Sequence, residues 1–254
     1  MLSIVLSRRD FRESDQIISL FTKDQGKLEL LARGVKKITS KNSAHLEPFS
    51  LVQVSIEKGK EIDHLTTVQS VEFFSDIRKN IDKSLATGYL VSLVDKLTQV
   101  GEREGRIFEM LVSWLRFVEG ASSFNSALVD GYIVKLLHCL GFSPELKRCV
   151  VCGVEEVVGL YPAGGGVICQ ACWKKKEKLG EQVLDCNLEQ AKNLNIFLVG
   201  DWHAINNAKC IPEGHPSAGK MQNAKLVHDL IYKYMIFHSE KKLPDFGMFD
   251  KISH

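Results

Sequence analysis

No stretch of this chain approaches the roughly 18 consecutive apolar residues of a membrane-spanning helix, which removes that class. Cysteine is thin. Seven in 254 residues is far too few for a disulfide-dense mini-protein. Neither charge sign prevails, since 33 Lys and Arg face 31 Asp and Glu for a net +2, so composition argues neither for nor against nucleic acid. Enzyme signatures are missing as well. There is no G-x-x-x-x-G-K-[ST], G-x-S-x-G or H-E-x-x-H, and no G-x-G-x-x-G behind a strand, so no catalytic residue is assigned and a non-enzyme is expected. A secretory signal is not expected, because the apolar run Met1–Leu6 precedes Arg8 and Arg9 rather than following them. The expected compartment is the cytoplasm, where thiols stay reduced.

What is present is ordinary for a folded chain, with 44% hydrophobic and 25% charged residues. The length suits one large or two small domains. The first 75 or so residues carry β patterning. Leu2, Ile4 and Leu6 alternate with Ser3, Val5 and Ser7. Apolar runs follow at Gln16–Thr22, Leu28–Val35, Phe49–Ile56 and Leu65–Val71, with turns at Asp24-Gln25-Gly26 and Lys58-Gly59-Lys60. Five short segments at this spacing predict a small barrel or a sandwich rather than a βαβ unit. After Phe74 the period becomes helical. Helices are predicted over Ile81–Val100, over Ile107–Val118 ending near Gly120, over Ile133–Leu140, over Leu188–Leu198 and over Leu226–Phe237. The predicted division is 1–78 and 79–254, with a non-helical, Gly-rich insert at 147–175.

The insert holds the most specific motif. Cys149-Val-Val-Cys152 and Cys169-Gln-Ala-Cys172 are two C-x₂-C pairs separated by Gly153–Ile168, the spacing of a Cys₄ zinc site. Four thiolates close the coordination shell, which points to a structural Zn²⁺ rather than a catalytic one. Val157–Tyr161 and Val167-Ile168 are predicted strands, joined by a turn at Pro162–Gly166. Cys139, Cys186 and Cys210 have no partner at ligand spacing and are read as bystanders.

The +2 conceals polarity. Residues 1–41 carry +4 and residues 147–178 carry +3, so the remainder is −5. Lys27, Arg33, Lys36, Lys37 and Lys41 lie in one short stretch beside the neutral phosphate donors Thr39, Ser40 and Asn42. Arg8 and Arg9 form an earlier cluster with Arg12, and Lys174, Lys175 and Lys176 a later one. Such clusters bind phosphate backbones by releasing counterions. Asp10, Glu13 and Asp15 predict that local ion pairing holds the early arginines.

Taken in order, Arg12–Thr22, Gly26-Lys27, Ala32–Lys37, Leu46–Phe49, Leu136–Leu146 running into Cys149–Gly153, and Gly165–Cys172 resemble the RecO family of bacterial repair and recombination mediators over nearly the whole chain. The resemblance implies an α+β multidomain protein: an N-terminal OB-fold β-barrel, then an all-helical domain bearing a zinc-ribbon-like insert. It implies ATP-independent binding of single- and double-stranded DNA and annealing of complementary strands. It also implies partnership with RecR and with the C-terminal tail of single-stranded-DNA-binding protein, through which RecA is loaded, and a nucleoid association in the cytoplasm. A zinc-ribbon protein bound to RNA or the ribosome is the alternative reading. A zinc hydrolase or nuclease is a third.

Overall fold

The computed structural model describes residues 1–208, 217–239 and 243, so Cys210 lies outside the described residues. The chain packs as two compact units, Met1–Ser123 and Phe124–His254. The sequence division at residue 78 falls within the first helix after the barrel, Ser75–Lys79, whereas the first packing unit runs on to Ser123 and takes in three helices.

Strands β1 (Leu2–Asp10), β2 (Gln16–Thr22), β3 (Gly26–Ala32), β4 (Leu51–Glu57) and β5 (His64–Glu72) close into a barrel in the order β1-β2-β3-β5-β4, with β4 returning to β1. All pairs are antiparallel except β3 with β5, which meet in parallel at Leu31 and His64. This is the OB-like solution of the two architectures that the alternation allowed. Val5, Ile18, Leu20, Leu30, Val52, Val54 and Val68 fill the interior, with Val35 and Leu46 closing in from the β3–β4 connection.

Burial differs between strands for a physical reason. On β5 only Leu65 and Val68 are buried, as in a half-solvated strand. On β2 six consecutive residues, Ile17–Thr22, are buried, because helices cover the outer face. These are α1 (Ser75–Lys79), α2 (Ile81–Leu97) and α3 (Gly105–Gly120); α2 packs on β1 and α3 on β2.

One carboxylate ties this layer together. Asp95 of α2 accepts hydrogen bonds from Ser7 Oγ and Ser19 Oγ, each at 2.8 Å, and an ion pair from Lys27 Nζ at 2.7 Å. Burial works to raise its pKa, but the lysine and the two hydroxyls outweigh burial and hold it below the usual carboxylate value. At the barrel exit the Arg78 guanidinium lies 4.0 Å from the Phe49 ring centre and 4.1 Å from that of Phe73. It also donates to the Pro48 carbonyl and to Ser50 Oγ, so it clamps the start of β4 to the end of β5.

Helix α2 stops at Leu97 rather than at Val100, which pairs with Lys27 beside the β2–β3 turn. The turn explains Gly26. Its φ is +66°, and a Cβ there would fall 1.6 Å from the Glu102 carbonyl oxygen. Only glycine adopts this backbone without strain or collision.

The second unit contains α4 (Ala127–Cys139), β6 (Gly159–Tyr161), β7 (Gly166–Ile168), α5 (Gln170–Lys178), β8 (Leu184–Asp185), α6 (Leu188–Val199), α7 (Trp202–Asn206) and α8 (Ser217–Ser239). Helices α4, α6 and α8 pack together over Leu128, Ile133, Leu136, Leu194, Phe197 and Ile231. Buried Asp130 and His228 meet within that core, Oδ1 to Nδ1, at 2.6 Å. The insert departs from the sequence reading in two ways. Helix α5 begins inside it, at Gln170. Its sheet is three-stranded, β7-β6-β8, because Leu184–Asp185 returns to pair with Gly159 and Leu160. A two-residue strand has too little alternation to be visible in sequence.

Candidate functional site

The four spaced cysteines converge. The Sγ atoms of Cys149, Cys152, Cys169 and Cys172 all lie within 4.8 Å of one another, and those of Cys152 and Cys169 are 3.6 Å apart. Tetrahedral Zn–S bonds of about 2.3 Å place sulfurs about 3.8 Å apart, so the cluster fits one ion and can hold it.

Local backbone makes the convergence. The first pair sits on a knuckle in which Gly153, at φ +79°, donates its N–H to the Cys149 carbonyl at 2.8 Å. A positive φ of this kind suits glycine. Cys149 N–H in turn donates to the Val154 carbonyl at 2.9 Å. The second pair uses a helix start instead of a matching knuckle. Cys169 is the N-cap of α5 and Cys172 lies in its first turn. The strands β6 and β7 bring the two pairs together. Burial works to raise the Cys149 pKa, but the N–H groups of Cys169, Val151 and Cys152 reverse this and bring it down to about 6, whereas hydrogen bonding with the Cys152 thiol, then burial, pushes Cys172 up to about 12. Cys139 and Cys186 stand apart from the cluster.

The basic residues separate into two kinds. Some are committed to the fold. Lys27 is only 12% exposed, with its ammonium on Asp95, so it presents little charge to a ligand. Arg8 pairs with Glu47 at 3.1 Å and Arg9 with Glu29 at 2.9 Å. The expected ion pairing therefore occurs, but with acids brought in by tertiary structure rather than with Asp10, Glu13 and Asp15. Lys36 pairs with Asp10 at 2.7 Å. Lys176 folds back on Glu181 at 3.0 Å and lies 5.0 Å from the Tyr161 ring centre.

Others are displayed. Arg33, Lys37 and Lys41 are exposed, as are Lys174 and Lys175, and among the described residues none of these five has a carboxylate within ion-pairing distance. The structure gathers the first three. Their loop, 33–42, is pinned to the β1–β2 loop by Gly34 N–H on Asp15 Oδ1 at 2.8 Å and by Lys36 N–H on the Ser14 carbonyl at 3.1 Å. It is pinned to the start of β5, just past the β4–β5 loop, by Arg33 Nη2, 3.3 Å from His64 Nε2, and by Asn42 Nδ2 on the Thr66 carbonyl at 3.2 Å. The β1–β2 and β4–β5 loops are the ones that carry ligands in OB folds; here the basic loop is tied to the first, and β3, which leads into it, reaches the second through Leu31 N–H on the Asp63 carbonyl at 2.9 Å. The sequence reading missed the β4–β5 loop as part of this rim, where Lys58 and Lys60 are exposed. Lys58-Gly59-Lys60 was visible only as a hairpin tip; Lys58 pairs with Asp63 at 3.0 Å, and the approach of β3 to the residue that follows this loop needs the parallel Leu31–His64 contact.

The barrel rim and the thiolate cluster together define a class: a two-unit protein joining an OB-like barrel to a helical unit whose insert brings together four cysteines able to hold a metal ion. Comparison with known proteins narrows it. The family model for the recombination protein O N terminal matches residues 3–74, and that for the recombination protein O C terminal matches residues 78–226. The protein named DNA repair protein RecO of Symbiobacterium thermophilum is 31% identical over 203 residues, covering 78% of this chain and 79% of its own. That of Desulforamulus reducens is 30% identical over 180 residues, 70% of each chain. A third, from a Nocardioides species, is 26% identical over 248 residues, 95% of this chain and 94% of its own. The chain belongs to the RecO family of DNA repair proteins. Among the described residues no helix is long and apolar enough to cross a membrane.

Proposed function

We propose that the protein is an ATP-independent mediator of recombinational repair that binds single- and double-stranded DNA and anneals complementary strands without covalent chemistry. The observation that carries this reading is the display of exposed Arg33, Lys37 and Lys41 on one loop that is tied to the β1–β2 loop and to the start of β5 of a closed OB-like barrel. Cations without carboxylate partners on a rigid rim neutralise phosphates and lower the repulsion between two strands. Lys174 and Lys175 extend the basic surface of the second unit. The metal is one structural Zn²⁺, in keeping with four thiolates that leave no open coordination position.

In the cell the protein works in the cytoplasm, at the nucleoid, with RecR and with single-stranded-DNA-binding protein to load RecA. The test is annealing of labelled complementary oligonucleotides coated with single-stranded-DNA-binding protein, with and without ATP, and with structured RNA as competitor. Acceleration independent of ATP is expected. No acceleration, or clear preference for the RNA, overturns the reading, and metal-dependent strand cleavage replaces it with a nuclease.

A further inference from the structure

The rim described above carries two apolar side chains that the fold does not use. Ile38 is fully exposed, at 105% of its reference area. It follows Lys37 at the tip of the basic loop, where two successive turns, Lys37 N–H on the Gly34 carbonyl at 3.1 Å and Ser40 N–H on the Lys37 carbonyl at 2.9 Å, hold the backbone. Phe11 is 48% exposed on the β1–β2 loop, with the Arg12 guanidinium 5.1 Å from its ring centre.

The two loops are held together by the Gly34–Asp15 hydrogen bond and by Lys36, whose backbone N–H reaches the Ser14 carbonyl and whose Nζ reaches Asp10. A single exposed apolar side chain is common on a protein surface. An aromatic and a β-branched one on adjoining pinned loops, within a frame of Arg33, Lys37 and Lys41, are a different matter. Water gains nothing from them, and the barrel core is already closed below by Val35 and Leu46.

We infer that Phe11 and Ile38 contact the bases of single-stranded DNA, Phe11 by stacking and Ile38 by wedging beside an unstacked base, while the surrounding cations hold the phosphates. Charge selects the occupant, because the frame is cationic and single strands expose both phosphates and base faces. Apolar side chains of this size enter between base steps in other DNA-binding proteins. A duplex keeps its bases stacked, so these residues give the rim a preference for single strands that the cations alone do not provide. The inference rests on the DNA-binding reading above.

The experiment uses the full chain with Phe11→Ala, Ile38→Ala, the double variant and Phe11→Tyr. Fluorescence anisotropy is read on an oligo-dT strand and on a duplex of equal length over a range of salt, and thermal melting confirms folding. The double variant should lose roughly tenfold or more on oligo-dT, as expected for base–aromatic stacking, with an unchanged salt slope and unchanged duplex affinity. Phe11→Tyr should restore the aromatic contribution. An equal loss on both DNAs, or none on either, overturns base contact and leaves the DNA-binding reading intact. Failure of the unaltered protein to bind either DNA overturns both.

Discussion

The barrel and the cysteine insert are both small β structures, yet they are held by different forces. The barrel pairs every strand on both sides and encloses eleven buried residues. The insert has strands of three, three and two residues, and its buried cluster has five members, of which three are cysteines. So little apolar area cannot offset the entropy of ordering a chain of this length, and an ion held by the four thiolates would supply what the core lacks. Hydrophobic closure gives the barrel a shape that tolerates some change in any one side chain. Coordination would give the insert a shape that depends on each of four atoms.

The largest expected effect tests that contrast directly. Cys149→Ser with Cys152→Ser, in the full chain, should abolish stoichiometric zinc and unfold the insert. Metal analysis and hydrogen exchange should report this, with exchange in β1–β5 unchanged. Retained zinc refutes the Cys₄ assignment. Next, Leu20→Ala in the barrel should lower stability by about 2–5 kcal/mol without changing zinc content, read by denaturant melts. Asp95→Ala should cost about 1–3 kcal/mol by leaving Ser7, Ser19 and Lys27 without their shared acceptor.

The same carboxyl gives the barrel unit a pH dependence. Its pKa is lowered on folding. Its contribution is therefore complete above the unfolded value, about 3.9, and is lost as pH falls below it. Acid titration of Asp95→Asn should show a shallower loss of stability in that range. The smallest effect on stability is expected for Lys37→Ala with Lys41→Ala. Melting should be unchanged, whereas DNA affinity falls and the salt dependence weakens by roughly one unit of slope per lost phosphate contact.

The sequence conveyed these two regions unequally. Alternation and turn residues located all five barrel strands, and C-x₂-C spacing located all four cysteines that converge, because both signals are local. Barrel closure and the β3–β5 parallel contact are long-range and leave no mark on periodicity. The helical start at Gln170 escaped notice because Cys169-Gln-Ala-Cys172 has the same spacing as a loop knuckle. Charge counting found the cations but not their pairing. Only tertiary structure separates Lys27, bound to Asp95, from Lys37, which faces solvent on the loop that follows. For the same reason Glu47 and Glu29 could not be foreseen as partners of Arg8 and Arg9.

Asp95 and Arg78 have one more consequence, which concerns modularity. The two family models part between residues 74 and 78, as separable modules would. Both residues lie beyond that seam, and both bind the barrel side of it. A gene fusion that exchanged the barrel at the seam would carry away Ser7, Ser19 and Lys27 without the carboxylate they share, and Phe49 and Phe73 without the cation between them. A barrel shuffled between relatives must therefore travel with α1 and α2, so the unit that recombination can exchange is longer than the segment that sequence comparison delimits.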